Sequence, residues 1–125
     1  MMEASYGHEL ILDLHDCDIT KFNRFSLKNY FEDLCKLIEM ERCDLYFWDD
    51  QDTPEDEKQT QSHTVGTSAV QFILTSNIVI HTLPILRKVF INIFSCKDFD
   101  ALQAALFSKI WFKGKIISYR IIERI

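Results

Sequence analysis

Ser68, Ser76, His81 and Cys96, side chains able to do covalent or acid–base chemistry, fall within one run of the sequence, Gly66 to Cys96. Ser68 and Ser76 are eight residues apart, His81 follows Ser76 by five, and Cys96 lies twenty beyond Ser76. A hydroxyl can attack a carbonyl, an imidazole can carry its proton, and a thiol can donate or accept one. Serines in turns, and single histidines or cysteines in strands, also serve structure alone, so the residue types by themselves specify no reaction.

The elements that must position these groups are strands. Ser68 to Leu74, Ile78 to Leu83 and Val89 to Phe94 are β-branched or aromatic runs of strand length, separated by polar breaks and by Pro84. A hairpin turned at Thr75-Ser76-Asn77 puts Ser76 in the turn and folds Ser68 back towards His81. With Cys96 at the end of the next strand, the two hydroxyls, the imidazole and the thiol are expected to form one cluster.

Gly66-x-Ser68, Ser76, His81-Thr82-x-Pro84 and Cys96, in this order and spacing, resemble the prokaryotic-type S-adenosylmethionine decarboxylases. Gly7-His8-Glu9-Leu10 with Cys17-Asp18 extends the resemblance over most of the chain. The resemblance implies a proenzyme that cuts its own chain between Thr75 and Ser76. Ser76 then becomes a pyruvoyl group, the cofactor that forms a Schiff base with the substrate amine. It further implies that Ser68 and His81 assist self-processing, that Cys96 is the proton donor in decarboxylation, and that the subunits form a homodimer. The activity implied is S-adenosylmethionine decarboxylation, which makes the aminopropyl donor of spermidine and polyamine biosynthesis.

The chain departs from the family pattern in places. Thr75 stands where the family has Glu, Asn77 where it has His, and Leu83-Pro84-Ile85 where it has Trp-Pro-Glu. Asn92 replaces an acidic residue, and Cys96-Lys97 replaces Cys-Gly. Ile85 thus lacks the carboxylate that holds the ribose hydroxyls in the family. Three functions fit: decarboxylation of S-adenosylmethionine, pyruvoyl-dependent decarboxylation of another amine such as a basic amino acid, or an unprocessed homologue that dimerises with or regulates a true enzyme. A Ser-His hydrolase fits poorly, because no strand-turn-helix nucleophile elbow surrounds Ser76.

The bulk properties narrow the class. At 125 residues, 47% of them hydrophobic, residues 1–125 read as a single domain with one core. A net charge of -5 disfavours nucleic acid and anionic membrane partners. The apolar runs are strand-sized, and Glu3, His8 and Glu9 interrupt any leader-like apolar segment. Cys17, Cys35, Cys43 and Cys96 form no CxxC pair and no metal-ligand spacing, as expected of reduced cysteines in a cytoplasmic protein without a metal.

Periodicity supplies the remaining elements. Tyr6 to Leu14 alternates as a strand, ended by His15 to Asp18. Leu27, Tyr30, Phe31, Leu34, Leu37 and Ile38 recur at helical spacing, which predicts a helix capped by Ser26 and ending near Met40. Cys43 to Trp48 reads as a strand, and Asp49 to Gln61 as a solvated, flexible acidic loop, which the family resemblance implies is able to cover the pocket. Asp98 is expected to cap a helix over Phe99 to Phe112 whose packed face carries Leu102, Ala105, Leu106 and Ile110. Gly114 stops it before a last strand, Lys115 to Ile125. Helices interrupting a mainly antiparallel set predict an α+β two-layer sandwich. The family resemblance places both helices on one face of the sheet.

Overall fold

Alternation along the central strands decides which face is buried. The computed structural model describes residues 5–125, so Glu3 lies outside the described residues. Its elements are β1 (Gly7–His15), a 3-10 turn (Ile19–Lys21), α1 (Arg24–Leu37), β2 (Arg42–Trp48), a second 3-10 turn (Glu55–Glu57), β3 (Thr67–Ile73), β4 (Ser76–Leu83), β5 (Lys88–Ser95), α2 (Ala101–Phe112) and β6 (Lys115–Arg124). The six strands make one sheet in the order β2-β3-β4-β5-β1-β6, every pairing antiparallel. Both helices pack on one face, giving the expected α+β two-layer sandwich.

Ile78 and Ile80 of β4, Val89, Ile91 and Ile93 of β5, and Leu10, Leu12 and Leu14 of β1 are buried under the helices. Burying each stabilises the fold by about 1.5–3 kcal/mol. The intervening side chains, among them Ser68, Val79, His81 and Phe90, lie on the face that carries no helix.

Two helix starts differ from expectation. The cap of α1 is Asn23, whose Oδ1 accepts from the Ser26 amide at 2.8 Å. Ser26 lies one turn inside, where its hydroxyl accepts from Trp111 Nε1 at 3.1 Å and ties α1 to α2. The helix ends at Leu37 rather than near Met40, because Glu39 turns left-handed at φ 59. On α2 the cap is Asp100, accepting from Gln103 N at 3.0 Å, while Asp98 stands 3.4 Å from His8.

The packed face of α2 also differs. Ala101, Ala104, Ala105, Ser108 and Phe112 are buried, whereas Leu102, Leu106 and Ile110 are exposed. Small residues let the helix approach α1 and the sheet closely, and Tyr30 Oη meets Ser108 Oγ at 2.6 Å in that contact. Steric fit outweighed hydropathy here.

The acidic loop is anchored at its base. Asp49 receives both Nε and Nη2 of Arg24, at 2.9 and 2.7 Å, and Asp50 accepts from Gln59 N at 2.7 Å. Asp49 is therefore a part-buried ion-pair partner rather than a solvated charge.

Candidate functional site

Ser68 and His81 are directly opposite each other on β3 and β4. Their side chains share the helix-free face, and Ser68 Oγ lies 2.7 Å from His81 Nδ1. The register that aligns them is set by the buried alternation of Ala69, Gln71 and Ile73 against Ile78 and Ile80. Trp48 pairs with Ser68 on one side and Phe90 with His81 on the other, so the hydroxyl–imidazole pair lies between two aromatic walls. Gln59, His63, Thr64 and Leu83 complete a cavity of about 460 Å³ over it. Gly66 lines the same cavity, and a Cβ there would collide with the Thr82 carbonyl.

Ser76 is not in the turn. Leu74 and Thr75 make the turn, and Ser76 is the first residue of β4, paired with Ile73. Its side chain is buried on the helix side. Cys96 N donates to Ser76 Oγ at 3.0 Å, and Ser76 Oγ in turn directs its hydrogen at Cys96 Sγ, 3.7 Å away. Thr75 Oγ1 is 2.9 Å from the same sulfur. Hydrogen bonds from Thr75 and then Ser76 hold the Cys96 thiol below its ordinary pKa. Thr75 adopts φ 54, a left-handed conformation that a β-branched residue resists. The peptide bond expected to be cut is thus next to a strained residue.

The four residues form two pairs rather than the single cluster expected from spacing. Ser76 and His81 are five residues apart on one strand, about 17 Å at 3.3 Å per residue, and odd spacing puts them on opposite faces. Sequence spacing joined them because it reads distance along the chain and ignores face. It also missed the contact of Thr75 with Cys96 and the residues Trp48, Phe90 and His63, whose only sequence signal is strand register or loop closure. Phe72, Asn77 and Phe94 of the helix-free face, with Cys43, line a groove at the Thr75-Ser76 end. Ile85 is exposed in the turn after β4, past Leu83. Among the described residues no three His, Cys, Asp or Glu side chains are grouped to hold a metal, and no helix is long and apolar enough to cross a membrane.

The family model described as S-adenosylmethionine decarboxylase matches residues 8–125. The chain belongs to that family. The fold is also that of the adenosylmethionine decarboxylase from Aquifex aeolicus VF5, whose crystal structure superposes with a TM-score of 0.77. That likeness covers 98% of this chain and 92% of the other, at 19% identity. No curated protein matches the chain. Membership makes a decarboxylase the general class to which the two side-chain pairs must answer.

Proposed function

We propose that the chain is a self-processing decarboxylase, in which Ser76 becomes a pyruvoyl group and S-adenosylmethionine is the substrate. The observation that carries this is the setting of Ser76: its hydroxyl is held by the Cys96 amide and sulfur, immediately after the strained Thr75. The attacking oxygen and the carbonyl it would attack belong to adjacent residues, which supplies the proximity such a step needs. The pyruvoyl carbonyl would supply the electron sink for decarboxylation. Cys96 is then the group closest to return a proton to the product, and Ser68 with His81 assist processing.

Those two roles require Ser68 and His81 to reach a Ser76 that their own chain keeps on the far side of the sheet. A second copy closes the separation along the strand, and it would approach Ser76, buried on the helix side, only where Ser76 lines the end groove with Thr75 and Asn77. The helix-free face carries Ile11, Val70 and Val79 at its centre, with Tyr46, Trp48 and Phe72 exposed beside them. Two such faces packed about 10 Å apart would form a four-layer dimer. A two-fold axis between them would bring the Ser68–His81 cavity of one copy over the Thr75-Ser76 groove of its partner. We read residues 1–125 as one domain that acts as half of such an assembly, in the cytoplasm, without nucleic acid, membrane or metal.

The replacement of the family Glu by Ile85 favours one second reading, a pyruvoyl decarboxylase for an amine without a ribose. A site that pairs ribose hydroxyls discriminates through those hydrogen bonds, and an isoleucine offers none.

Mass spectrometry under denaturing conditions tests the reading, on fresh and aged protein beside a Ser76→Ala variant. Fragments 1–75 and 76–125, the second with a borohydride-reducible end, are expected only with Ser76 present. Release of carbon dioxide from carboxyl-labelled S-adenosylmethionine, set against basic amino acids, then separates the two substrates. A chain that stays whole would overturn the pyruvoyl reading.

A further inference from the structure

We infer that Cys96 is the base that takes the proton of Ser76 in the self-processing step, and that Thr75 is the positioning residue that holds its sulfur for this. The inference rests on the pyruvoyl reading above and adds a role for the thiol before the substrate arrives.

The geometry leaves few other candidates within the chain. Among the described residues Ser76 Oγ has two hydrogen-bond partners, and they divide its roles: the Cys96 amide donates to its lone pair at 3.0 Å, and its own hydrogen faces Cys96 Sγ at 3.7 Å. His81 is about 17 Å along the strand and on the opposite face. A sulfur that accepts that hydrogen as a thiolate is a base in place.

Thr75 supplies what a thiolate needs. Its hydroxyl lies 2.7 Å from the Leu74 carbonyl and 2.9 Å from Cys96 Sγ. With a neutral thiol, the Thr75 hydroxyl donates to the carbonyl and the S–H points at its oxygen. With a thiolate, the same hydroxyl rotates to donate to sulfur. The left-handed turn at Thr75 is what puts a side-chain hydroxyl at that spot, so one residue both strains the scissile peptide and seats the base.

The other titratable groups nearby are accounted for. The Tyr6 ring is stacked on Phe94, and its hydroxyl is a lesser contributor to the lowered pKa of the Cys96 thiol. Lys97 Nζ is turned away onto the Glu39 carbonyl at 2.6 Å, and His8 is engaged with Asp98 at 3.4 Å. Cys43 lines the groove beside Thr75 from β2.

The step balances within the chain. The Ser76 O–H proton passes to Cys96 sulfur, and the oxygen forms a bond to the Thr75 carbonyl carbon. The C–N bond then breaks, and the Ser76 nitrogen takes up the proton that sulfur received. The product is an ester of Thr75 on Ser76, the species that later eliminates.

The experiment follows cleavage of freshly translated chain by intact mass from pH 5.5 to 9, in wild type, Cys96→Ala, Cys96→Ser, Thr75→Val and Thr75→Ser, with melting curves to confirm folding. Wild type is expected to cleave faster as pH rises, levelling off below the ordinary thiol range. Cys96→Ala should slow cleavage by about a hundredfold or more, the usual worth of a general base. Thr75→Val should move the inflection to higher pH, and Thr75→Ser should restore it. If Cys96→Ala folds and cleaves at the wild-type rate and pH profile, the base role is overturned while the pyruvoyl reading stands. A wild type that never cleaves overturns both. Alkylation of Cys96 against pH in Ser76→Ala, where no cleavage intervenes, must show the same upward shift on Thr75→Val, and an unmoved inflection would remove Thr75 from the role.

Discussion

The cysteines show how far surroundings set the chemistry of one residue type. Burial pushes the thiols of Cys17 and Cys35 up to about 11, since a thiolate loses its hydration in the core. Cys96 goes the other way, because hydroxyls of Thr75 and Ser76 hydrogen-bond its charged form. At pH 7.5, iodoacetamide should therefore label Cys96 well before Cys17 and Cys35. Peptide mass spectrometry reads this directly, and equal rates would contradict the assigned environments. Thr75 offers a second check. Replacing a β-branched residue at φ 54 by glycine relieves about 1 kcal/mol of backbone strain, so Thr75→Gly should melt higher than wild type. It should also cleave more slowly, having lost the hydroxyl beside Cys96. At this scale the sequence exposed the reactive types and their spacing. It could not expose the strain at Thr75, because an ordinary threonine becomes strained only through the tight turn that joins β3 to β4.

At the scale of elements, periodicity placed every helix and strand, while caps and faces followed local geometry. Asn23 lies three residues before Ser26, and only the observed hydrogen bond shows which of them caps α1. Asn23→Ala should cost about 1 kcal/mol, seen as a lower denaturant midpoint with unchanged slope. The acidic loop gives a pH-dependent counterpart. Hydrogen bonds from Arg24 first of all hold the Asp49 carboxyl below the usual range. A carboxyl whose folded pKa is depressed adds stability above its unfolded value of about 3.9, and that stability fades as pH falls through the lower folded value. Proteolysis within 50–61 by an acid-active protease should thus accelerate as pH drops below about 4, and Arg24→Met should show the faster rate already at neutral pH. An unaltered neutral-pH rate in Arg24→Met would show that the pair does not anchor the loop. The face of α2 was the largest misjudgement from sequence. Leu102, Leu106 and Ile110 are more apolar than Ala101, Ala104 and Ala105, yet only the small residues allow the closeness that joins Tyr30 to Ser108.

For the whole molecule, the division of the site into two pairs carries the strongest prediction. If the proposed face-to-face dimer forms, mixing Cys96→Ala with His81→Ala subunits should speed cleavage above that of either alone, since a mixed pair would have one intact site. Roughly a quarter of the sites are intact at equal mixing, by the arithmetic of an isologous pair. A charge on the helix-free face, as in Val79→Asp, should give single copies in sedimentation and abolish processing. Val79→Asp that remains dimeric and processes normally would sink the face-to-face arrangement.

The sequence by itself determined the family, the α+β order of elements, and that Ser68 and His81 fold back towards each other, without fixing their register. All three follow from local alternation and from motif spacing, which are one-dimensional properties. Only the tertiary structure decided that Ser76 and His81 face opposite sides of the sheet, that Thr75 and Cys96 meet, and that one apolar face has no helix upon it. The physical reason is the same in each case. A strand sends successive side chains to opposite faces, and contacts across turns and neighbouring strands depend on register and backbone conformation, which spacing along the chain does not encode.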